Sequence, residues 1–265
     1  MKQVRSLCIG ISALLLPASS LAQAPAGWPS KVIAIVIPAT AAGAADNFSR
    51  AYSKNITEVT GWKFLIDNKP GAGTTIGTGY VAKAAPDGHT LLAVSGTFTT
   101  MPLFYKDLPF DPVKNFSPVS MMTKGASMLL VHPSMPINSY QEYVAYVRAN
   151  SGKLNFGTSG VGSTYHLNGL KLHKGIGGEV AYVPYKGASD ATVALLSGEV
   201  KASFGAFSTH LAFVKQGKVR ALAVTSGKRF GAAPELTPLR ELCNCDFDHT
   251  AWTGIVAPAK TPPAV

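Results

Sequence analysis

Residues 31–50 read KVIAIVIPATAAGAADNFSR, and the order of elements in this stretch indicates the fold class. The first part, 31–38, is a β-branched apolar run that stops at a proline, which predicts a buried strand. A loop of tiny residues follows, and a helix with an apolar side is expected from Asp46 onward. The residues that carry this helical period are Phe48, Tyr52, Ile56 and Val59.

The same order of strand, small-residue loop and helix recurs along the chain. The run KLNFGTS leads into GVGS and a helical pattern at 164–177, and the two bare loops lie at Pro38–Asp46 and Thr158–Thr164. Strands that are apolar on both faces and alternate with helices are typical of a parallel sheet. The sequence therefore predicts an α/β protein with two lobes, each of which directs one such unit toward a shared cleft.

Two segments between these units lack a clear period. SGTFTT at 95–100 is interpreted as a polar loop that follows a strand. The stretch 101–122 contains several prolines and is interpreted as an irregular crossover between the lobes. We expect burial of its large apolar residues, which are Leu103, Phe104, Phe110 and Phe116.

A bare loop before a helix favours an anion site. The first N–H groups of a helix have no partner within the helix, and its start carries partial positive charge. Small side chains let a carboxylate or phosphate approach those groups. A loop of this composition can also simply turn the chain, but two at matching places favour the anion site. Neither loop has the Gly-Lys-Ser/Thr of a phosphate loop, and GTSGV lacks the last glycine of a nucleophile elbow.

Charge and composition limit the function further. The formal net charge is +10, and the basic residues are scattered singly rather than in runs. This distribution argues against nucleic acid as a partner and suits a protein that collects small anions. At the start of the chain, Lys2 and Arg5 precede a short apolar stretch and small residues. A secretory signal peptide over 1–23 is expected, because the apolar core is shorter than the ~20 residues of a membrane anchor.

Residues that could support catalysis do not form a recognisable site. His166 and His173 lie about 10 Å apart along one helix, too far to share a metal ion. We expect Asp46 to order the first loop rather than to act as a base. Cys243 and Cys245 could form a bridge in an exported protein, but two thiols without a catalytic role are expected.

Several motifs in sequence order resemble the Bug family, the exported solute-binding receptors of tripartite tricarboxylate transporters. They include IDNKPGAGTTIGTGYVAKAAPDGHTLL, LPFDPVKNFSPVS, LNFGTSGVGSTYHL, VPYKGASDATVALLSGEV and VRALAVTSGKR. The resemblance implies a two-lobed Venus-flytrap fold. The implied division has one lobe at 24–100 and 226–265 and the other at 101–225.

The resemblance also implies that a carboxylate binds between the two bare loops, with no cofactor and no metal ion. Three residues depart from the family's first loop: Ala39 replaces a phenylalanine, Ala45 replaces a hydroxyl residue, and Ala42 replaces a glycine. The last change would strain the turn if a positive φ is required there. The ligand-binding residues implied by position are Thr40, Ala41, Gly43, Ala44, Ala45, Asp46, Thr97, Thr158, Ser159, Gly162, Ser163, Thr164, His166, Tyr185 and Lys186.

Expected partners follow from the same resemblance. A monomeric receptor would deliver its ligand to integral-membrane permease subunits, and a membrane sensor is the alternative partner. A hydrolase or transferase is the rival class, and ligand titration separates the two because a receptor returns its ligand unchanged. Family members continue beyond the PAKTPP motif near residue 263, so we expect the first lobe to be incomplete and the chain to be marginally stable.

Overall fold

The computed structural model describes residues 27–229 and 231–265. The predicted signal peptide at 1–23 lies outside these residues. Within the described residues, no helix has both the length and the apolar character needed to cross a membrane.

The strands form a mixed sheet that extends through both lobes. Its order is β2-β1-β3-β9-β4-β7-β5-β6, and β8 pairs with β4. β1 is parallel to β2 and β3, and β5 is parallel to β6 and β7, whereas β4, β8 and β9 are antiparallel to their neighbours. The parallel prediction therefore holds for the strand–loop–helix units only. The strands are β1 Ile33–Ile37, β2 Phe64–Asn68, β3 Thr90–Ser95, β4 Phe116–Val131, β5 Asn155–Thr158, β6 Ala181–Pro184, β7 Ala202–Ala206, β8 Arg220–Val224 and β9 Thr250–Pro258.

The helices lie on the faces of this sheet. α5 begins where the sequence predicts a helix, whereas α3 covers most of the segment 95–100 that was interpreted as a loop, so that interpretation is wrong. Threonines 97, 99 and 100 are not helix formers by preference, and Thr99 and Thr100 donate to the carbonyl of Gly96. The helices are α1 Ala44–Thr60, α2 Thr75–Ala82, α3 Gly96–Phe104, α4 Tyr140–Ala149, α5 Thr164–Ile176, α6 Ala188–Ser197, α7 Phe207–Lys215 and α8 Leu239–Cys243.

The long strand β4 connects the two lobes. Its first part, from Phe116 to Ala126, pairs with β9, and its second part, from Ser127 to Val131, pairs with β7 and β8. The prediction of an irregular crossover is therefore wrong for this part of the chain. The register shifts after Pro118, which is where a residue without an N–H is tolerated in a sheet.

Burial in the segment before β4 follows the prediction only in part. Phe110 and Phe116 are buried in the core of the first lobe, as predicted. Leu103 and Phe104 remain 81% and 36% exposed, so their predicted burial is wrong. Both lie in the last turn of α3, where Phe104 contacts the Gly162 region of the other lobe instead of the core.

Helix α1 packs differently from the prediction. Its buried residues are Asp46, Ser49 and Ser53, whereas Ile56 and Val59 of the predicted apolar side are exposed. Small polar side chains allow close packing of this helix on the sheet. The predicted helix is therefore confirmed, but its apolar side faces away from the core.

The two cysteines near α8 are joined by a disulfide, so the expectation of two free thiols is wrong. Asn244 between them adopts a left-handed backbone conformation. That turn brings the Cα atoms of Cys243 and Cys245 to 5.2 Å, within the usual range for a bridge.

Candidate functional site

A cleft of about 260 Å³ lies between the two lobes. It contains residues from both bare loops and from the strands β4 and β9 that connect the lobes. A cleft at a domain boundary is the usual place for a small-molecule site. Its lining residues are Ala39, Thr40, Gly43, Ala44, Ala45, Asp46, Phe48, Thr74, Ser95, Thr97, Thr123, Lys124, Gly125, Ala126, Ser159, Thr164, Tyr165, Lys186, Gly187, Ala188, Ala206, Phe207, Ser208, Ala251, Trp252 and Thr253.

Helices α1, α3, α5, α6 and α7 all begin at this cleft. Each start presents backbone N–H groups and partial positive charge. In the part of the chain that the structure describes, the residues before α1, α3, α6 and α7 form no side-chain capping bond with their helix. The cleft therefore offers N–H donors to an anion. The four residues at those helix starts are Gly43, Ser95, Gly187 and Ala206.

Asp46 orders the first loop. Its carboxylate accepts hydrogen bonds from the N–H of Ala42 at 3.0 Å and from the Arg50 guanidinium at 3.0 and 3.1 Å. Burial by itself would raise the pKa of Asp46, but these hydrogen bonds outweigh it and hold the pKa below its ordinary value of 3.8. Asp46 is therefore ionised at neutral pH and committed to the protein, which is the loop-ordering role expected from the sequence.

The second loop is ordered by hydrogen bonds of its own. Ser163 caps α5 by accepting from the N–H of His166 at 3.2 Å, and His166 Nδ1 accepts from the N–H of Gly162 at 3.1 Å. Burial lowers the pKa of His166, which favours the neutral ring that this acceptor role requires. These three predicted ligand-binding residues support the loop and do not line the cleft.

Three other predicted residues also lie outside the lining. The carbonyl of Ala41 accepts a hydrogen bond from Ser189 at 2.6 Å. Thr158 is fully buried behind the loop, and Tyr185 donates to Glu199 Oε1 at 2.8 Å. Burial and this carboxylate raise the pKa of Tyr185 to about 12.

The remaining predicted residues do line the cleft. The hydroxyl of Thr40 is buried there without a hydrogen-bond partner among the described residues, and such a group is usually satisfied by a ligand or water. The predicted residues that meet at the cleft are Thr40, Gly43, Ala44, Ala45, Asp46, Thr97, Ser159, Thr164 and Lys186.

The sequence argument missed a large part of the site. The segments 123–126 and 251–253, on the paired strands β4 and β9, form one wall of the cleft, and nothing local distinguishes them from other strands. The start of α7 was also missed. The start of α6 was anticipated by the resemblance to the family, which places Lys186 and Gly187, directly before this helix, in the cleft.

The lobes touch across the cleft, so this is a closed conformation. Ser189 donates to the carbonyl of Ala41, and Thr100 donates to the carbonyl of Gly162 at 2.7 Å. Each bond joins a helix of one lobe to the bare loop of the other. A ligand in the cleft would be enclosed from both sides.

The cleft has donors and cations but little acidic character. Lys124 and Lys186 line it, and neither forms a salt bridge with another described residue. Within 27–229 and 231–265, no group of three or more His, Cys, Asp or Glu residues could hold a metal ion. The arrangement suits a small anion held by backbone donors.

Comparisons with known proteins point in the same direction. The family model described as tripartite tricarboxylate transporter family receptor matches residues 48–265. A UPF0065 protein of Bordetella pertussis is 33% identical over 258 residues, covering 97% of this chain and 79% of that protein. Two solved structures from Rhodopseudomonas palustris are each 30% identical and cover 89% of this chain. One was solved with adipate (TM-score 0.86, 79% of that chain), and the other is MatC with bound malate (TM-score 0.84, 80% of that chain).

Proposed function

Because the chain belongs to the tripartite tricarboxylate transporter receptor family, we propose that it is an exported receptor that closes on a small carboxylate and delivers it to a tripartite transporter. Members of this family are periplasmic solute-binding receptors and not enzymes. Solved relatives carry adipate and malate, which are both carboxylates. The partners in this proposal are the integral-membrane permease subunits of the transporter.

The convergence of helix starts on the cleft carries the proposal. Five helices, α1, α3, α5, α6 and α7, direct backbone N–H groups to one place, where the oxygens of a carboxylate can accept hydrogen bonds from them. A hydrogen bond to a charged group contributes about 1.5–3 kcal/mol, so a few of them support micromolar binding after the cost of immobilising the ligand. One chain supplies both sides of the cleft, which supports a monomer as the working unit.

The closed contacts support a receptor that encloses its ligand. The hydroxyl of Ser189 and the hydroxyl of Thr100 each bond to the opposite lobe, and both bonds would be broken when the cleft opens. Two states of the same molecule, open and closed, are what ligand capture and release require.

Export is part of the proposal. Its support is the basic start with Lys2 and Arg5 and the apolar stretch that follows, all of which precede the described residues. N-terminal sequencing of protein from the periplasmic fraction should find a start near residue 24. Intact Met1 on that protein would contradict export through a cleaved signal peptide.

The function can be tested by placing a carboxylate in the cleft by mutation. Ala44 is the first residue of α1 and lines the cleft, so Ala44→Asp would occupy the free N–H groups and repel a bound anion. Each hydrogen bond lost to a charged group weakens binding about ten- to a hundredfold. An acidic residue at a helix start should leave the thermal stability equal or higher.

The matched control is Ala51→Asp, which adds the same charge to an exposed position of the same helix. Isothermal calorimetry with a panel of small carboxylates should show binding by wild type and by Ala51→Asp, and weak binding by Ala44→Asp. Equal affinities of the two variants would place the ligand away from these helix starts.

A further inference from the structure

The charges of the cleft disfavour a ligand with an ammonium group. Asp46 is the only acidic residue that lines the cleft in the described part of the chain. Its side chain is only 3% exposed, and both carboxylate oxygens already accept hydrogen bonds from Arg50 and Ala42. An ammonium group would meet Lys124, Lys186 and the positive helix starts without a free carboxylate to pair with.

One wall of the cleft is mainly hydrocarbon. Gly125 and Ala126 from β4 and Ala251 and Trp252 from β9 form this wall where the two strands pair. It is continued by Phe207 at the start of α7.

The hydroxyls beside this wall are already satisfied. Thr123 and Thr253 hydrogen-bond to each other at 2.7 Å across the strand pair. A ligand hydroxyl placed against the hydrocarbon wall would lose its bonds to water without a full replacement. The wall therefore favours a ligand body of carbon and hydrogen.

Phe48 packs in no core cluster among the residues that the structure describes. It follows Asp46 in the first turns of α1 and lines the cleft. Its ring is half-buried, with its apolar surface turned to the cleft. A ligand with an apolar body would remove that surface from water.

We propose, building on the carboxylate-receptor function above, that the ligand is a carboxylate with a hydrocarbon body, without an ammonium group or several hydroxyls, and that Phe48 contributes to this preference. The carboxylate binds at the helix starts. The hydrocarbon body lies between Phe48 and the wall of β4 and β9. Amino acids and polyhydroxy acids of the same length bind less tightly, because an ammonium group meets no free carboxylate and a hydroxyl against the wall of β4 and β9 loses its bonds to water.

Matched pairs of ligands test the proposal. Each pair has one carbon skeleton and differs only in the added polar groups: succinate with aspartate and tartrate, glutarate with glutamate, adipate with galactarate, and 3-phenylpropanoate with phenylalanine. Calorimetry on the wild-type protein should show that the best unsubstituted acid binds at least about a hundredfold more tightly than its amino or polyhydroxy counterpart, as expected when polar groups are buried unpaired.

The outcomes separate this proposal from the function itself. Tighter binding of aspartate, glutamate, phenylalanine, tartrate or galactarate than of the parent acid would overturn the hydrocarbon preference and leave the carboxylate receptor in place. Binding of no member of the panel at millimolar concentration would overturn the carboxylate receptor and, with it, the preference.

The role of Phe48 is tested with the acid that binds most tightly. Phe48→Gln should lower the affinity for that acid about tenfold and should reduce the ratio of its affinity to that of the hydroxylated counterpart. The melting temperature of the unliganded protein should stay unchanged. The matched control is Val59→Gln on the same helix, since Val59 is 86% exposed and lies outside the cleft lining. Equal affinity of Phe48→Gln and wild type would remove Phe48 from the proposal.

Discussion

At the scale of single residues, Ala42 carries a backbone conformation that usually belongs to glycine. Its φ is +63°, in the left-handed region, which costs a residue with a Cβ roughly 1–2 kcal/mol. The conformation persists because the N–H of Ala42 donates to Asp46, which in turn is held by Arg50. The strain expected from the sequence at this position is therefore present in the fold.

Replacing Ala42 by glycine should stabilise the protein. The variant no longer bears the cost of a positive φ for a residue with a Cβ, which raises the free energy of unfolding. Glycine also increases the entropy of the unfolded chain, which lowers it, so the net rise should be about 0.5–1 kcal/mol. Ala41→Gly is the control, because Ala41 does not have a positive φ. This variant should lose about 0.4–1 kcal/mol of its free energy of unfolding. Urea denaturation of the three proteins measures the differences. A loss of stability in both variants would show that the φ of Ala42 is not strained.

His173 makes the stability of the second lobe depend on pH. Nε2 lies 2.7 Å from the hydroxyl of Tyr143, and Nδ1 lies 2.7 Å from the hydroxyl of Tyr182. Burial lowers the pKa of His173 from 6.5 to about 4, and a backbone hydrogen bond with Gly169 offsets this only in part. The folded protein therefore keeps this ring neutral at pH values where the unfolded chain would protonate it.

The sign of the effect follows from that lowered pKa. The contribution of neutral His173 is fully present above pH 6.5 and is lost as the pH falls toward 4, at up to about 1.4 kcal/mol per pH unit. His173→Gln should be less stable than wild type at pH 7, and the difference should shrink between pH 6.5 and 5. Thermal denaturation at each pH measures it, and parallel curves for the two proteins would exclude His173 as the cause.

At the scale of elements, the packing indicates where one lobe ends and the other begins. β4 changes partners after Ala126, and Phe110 and Phe116 pack in the first core. Leu239 and Phe247 pack in the core of the other lobe, and the chain returns at β9. We therefore propose boundaries at 27–126 and 250–265 for the first lobe and 127–249 for the second, in place of the division expected from the sequence.

The start of α6 is the element that limits closure. A Cβ at Gly187 would lie 2.4 Å from the hydroxyl oxygen and 3.2 Å from the N atom of Thr40 in the opposite lobe. The backbone at Gly187 is extended, with φ −172°, so alanine is compatible with the isolated lobe. The methyl group of an alanine at this position would clash with Thr40 only when the two lobes are closed.

Gly187→Ala should therefore fold normally and bind less tightly. Overpacking of about 1–3 kcal/mol in the closed form predicts affinity about five- to a hundredfold lower. Gly175→Ala is the control, since Gly175 is exposed on α5 outside the cleft lining and a Cβ there meets nothing within 4 Å. Calorimetry gives the affinities, and small-angle X-ray scattering with saturating ligand should show a larger radius for Gly187→Ala. Unchanged affinity and radius would mean that the lobes close without this contact.

At the scale of the whole molecule, charge and closure work toward the same end. The net charge of +10 attracts anions from solution, and the cleft adds helix starts and two lysines at the place where an anion is held. Few acidic groups face the ligand, and Asp46 is neutralised by Arg50. The field outside and the field inside the cleft therefore have the same sign, as a receptor for small carboxylates requires.

What the sequence determined by itself is local. Preferences within about a dozen neighbouring residues determine the apolar run at 31–37, the bare loops and the helix that begins at Thr164. The motifs that carry the resemblance to the family can also be read directly from the sequence. The loop-ordering role of Asp46 could also be predicted from the sequence, because a carboxylate in the first turn of a helix reaches the loop before it.

Only the tertiary structure decided which of these local units meet. The starts of α6 and α7 and the wall of β4 and β9 come to the cleft through crossovers and sheet order, which no short stretch of sequence encodes. The exposure of Val59 and Phe104 was decided in the same way, because burial depends on which surfaces other elements cover. Periodicity shows that a residue lies on one face of a helix, whereas packing over long distances in sequence determines whether that face is covered.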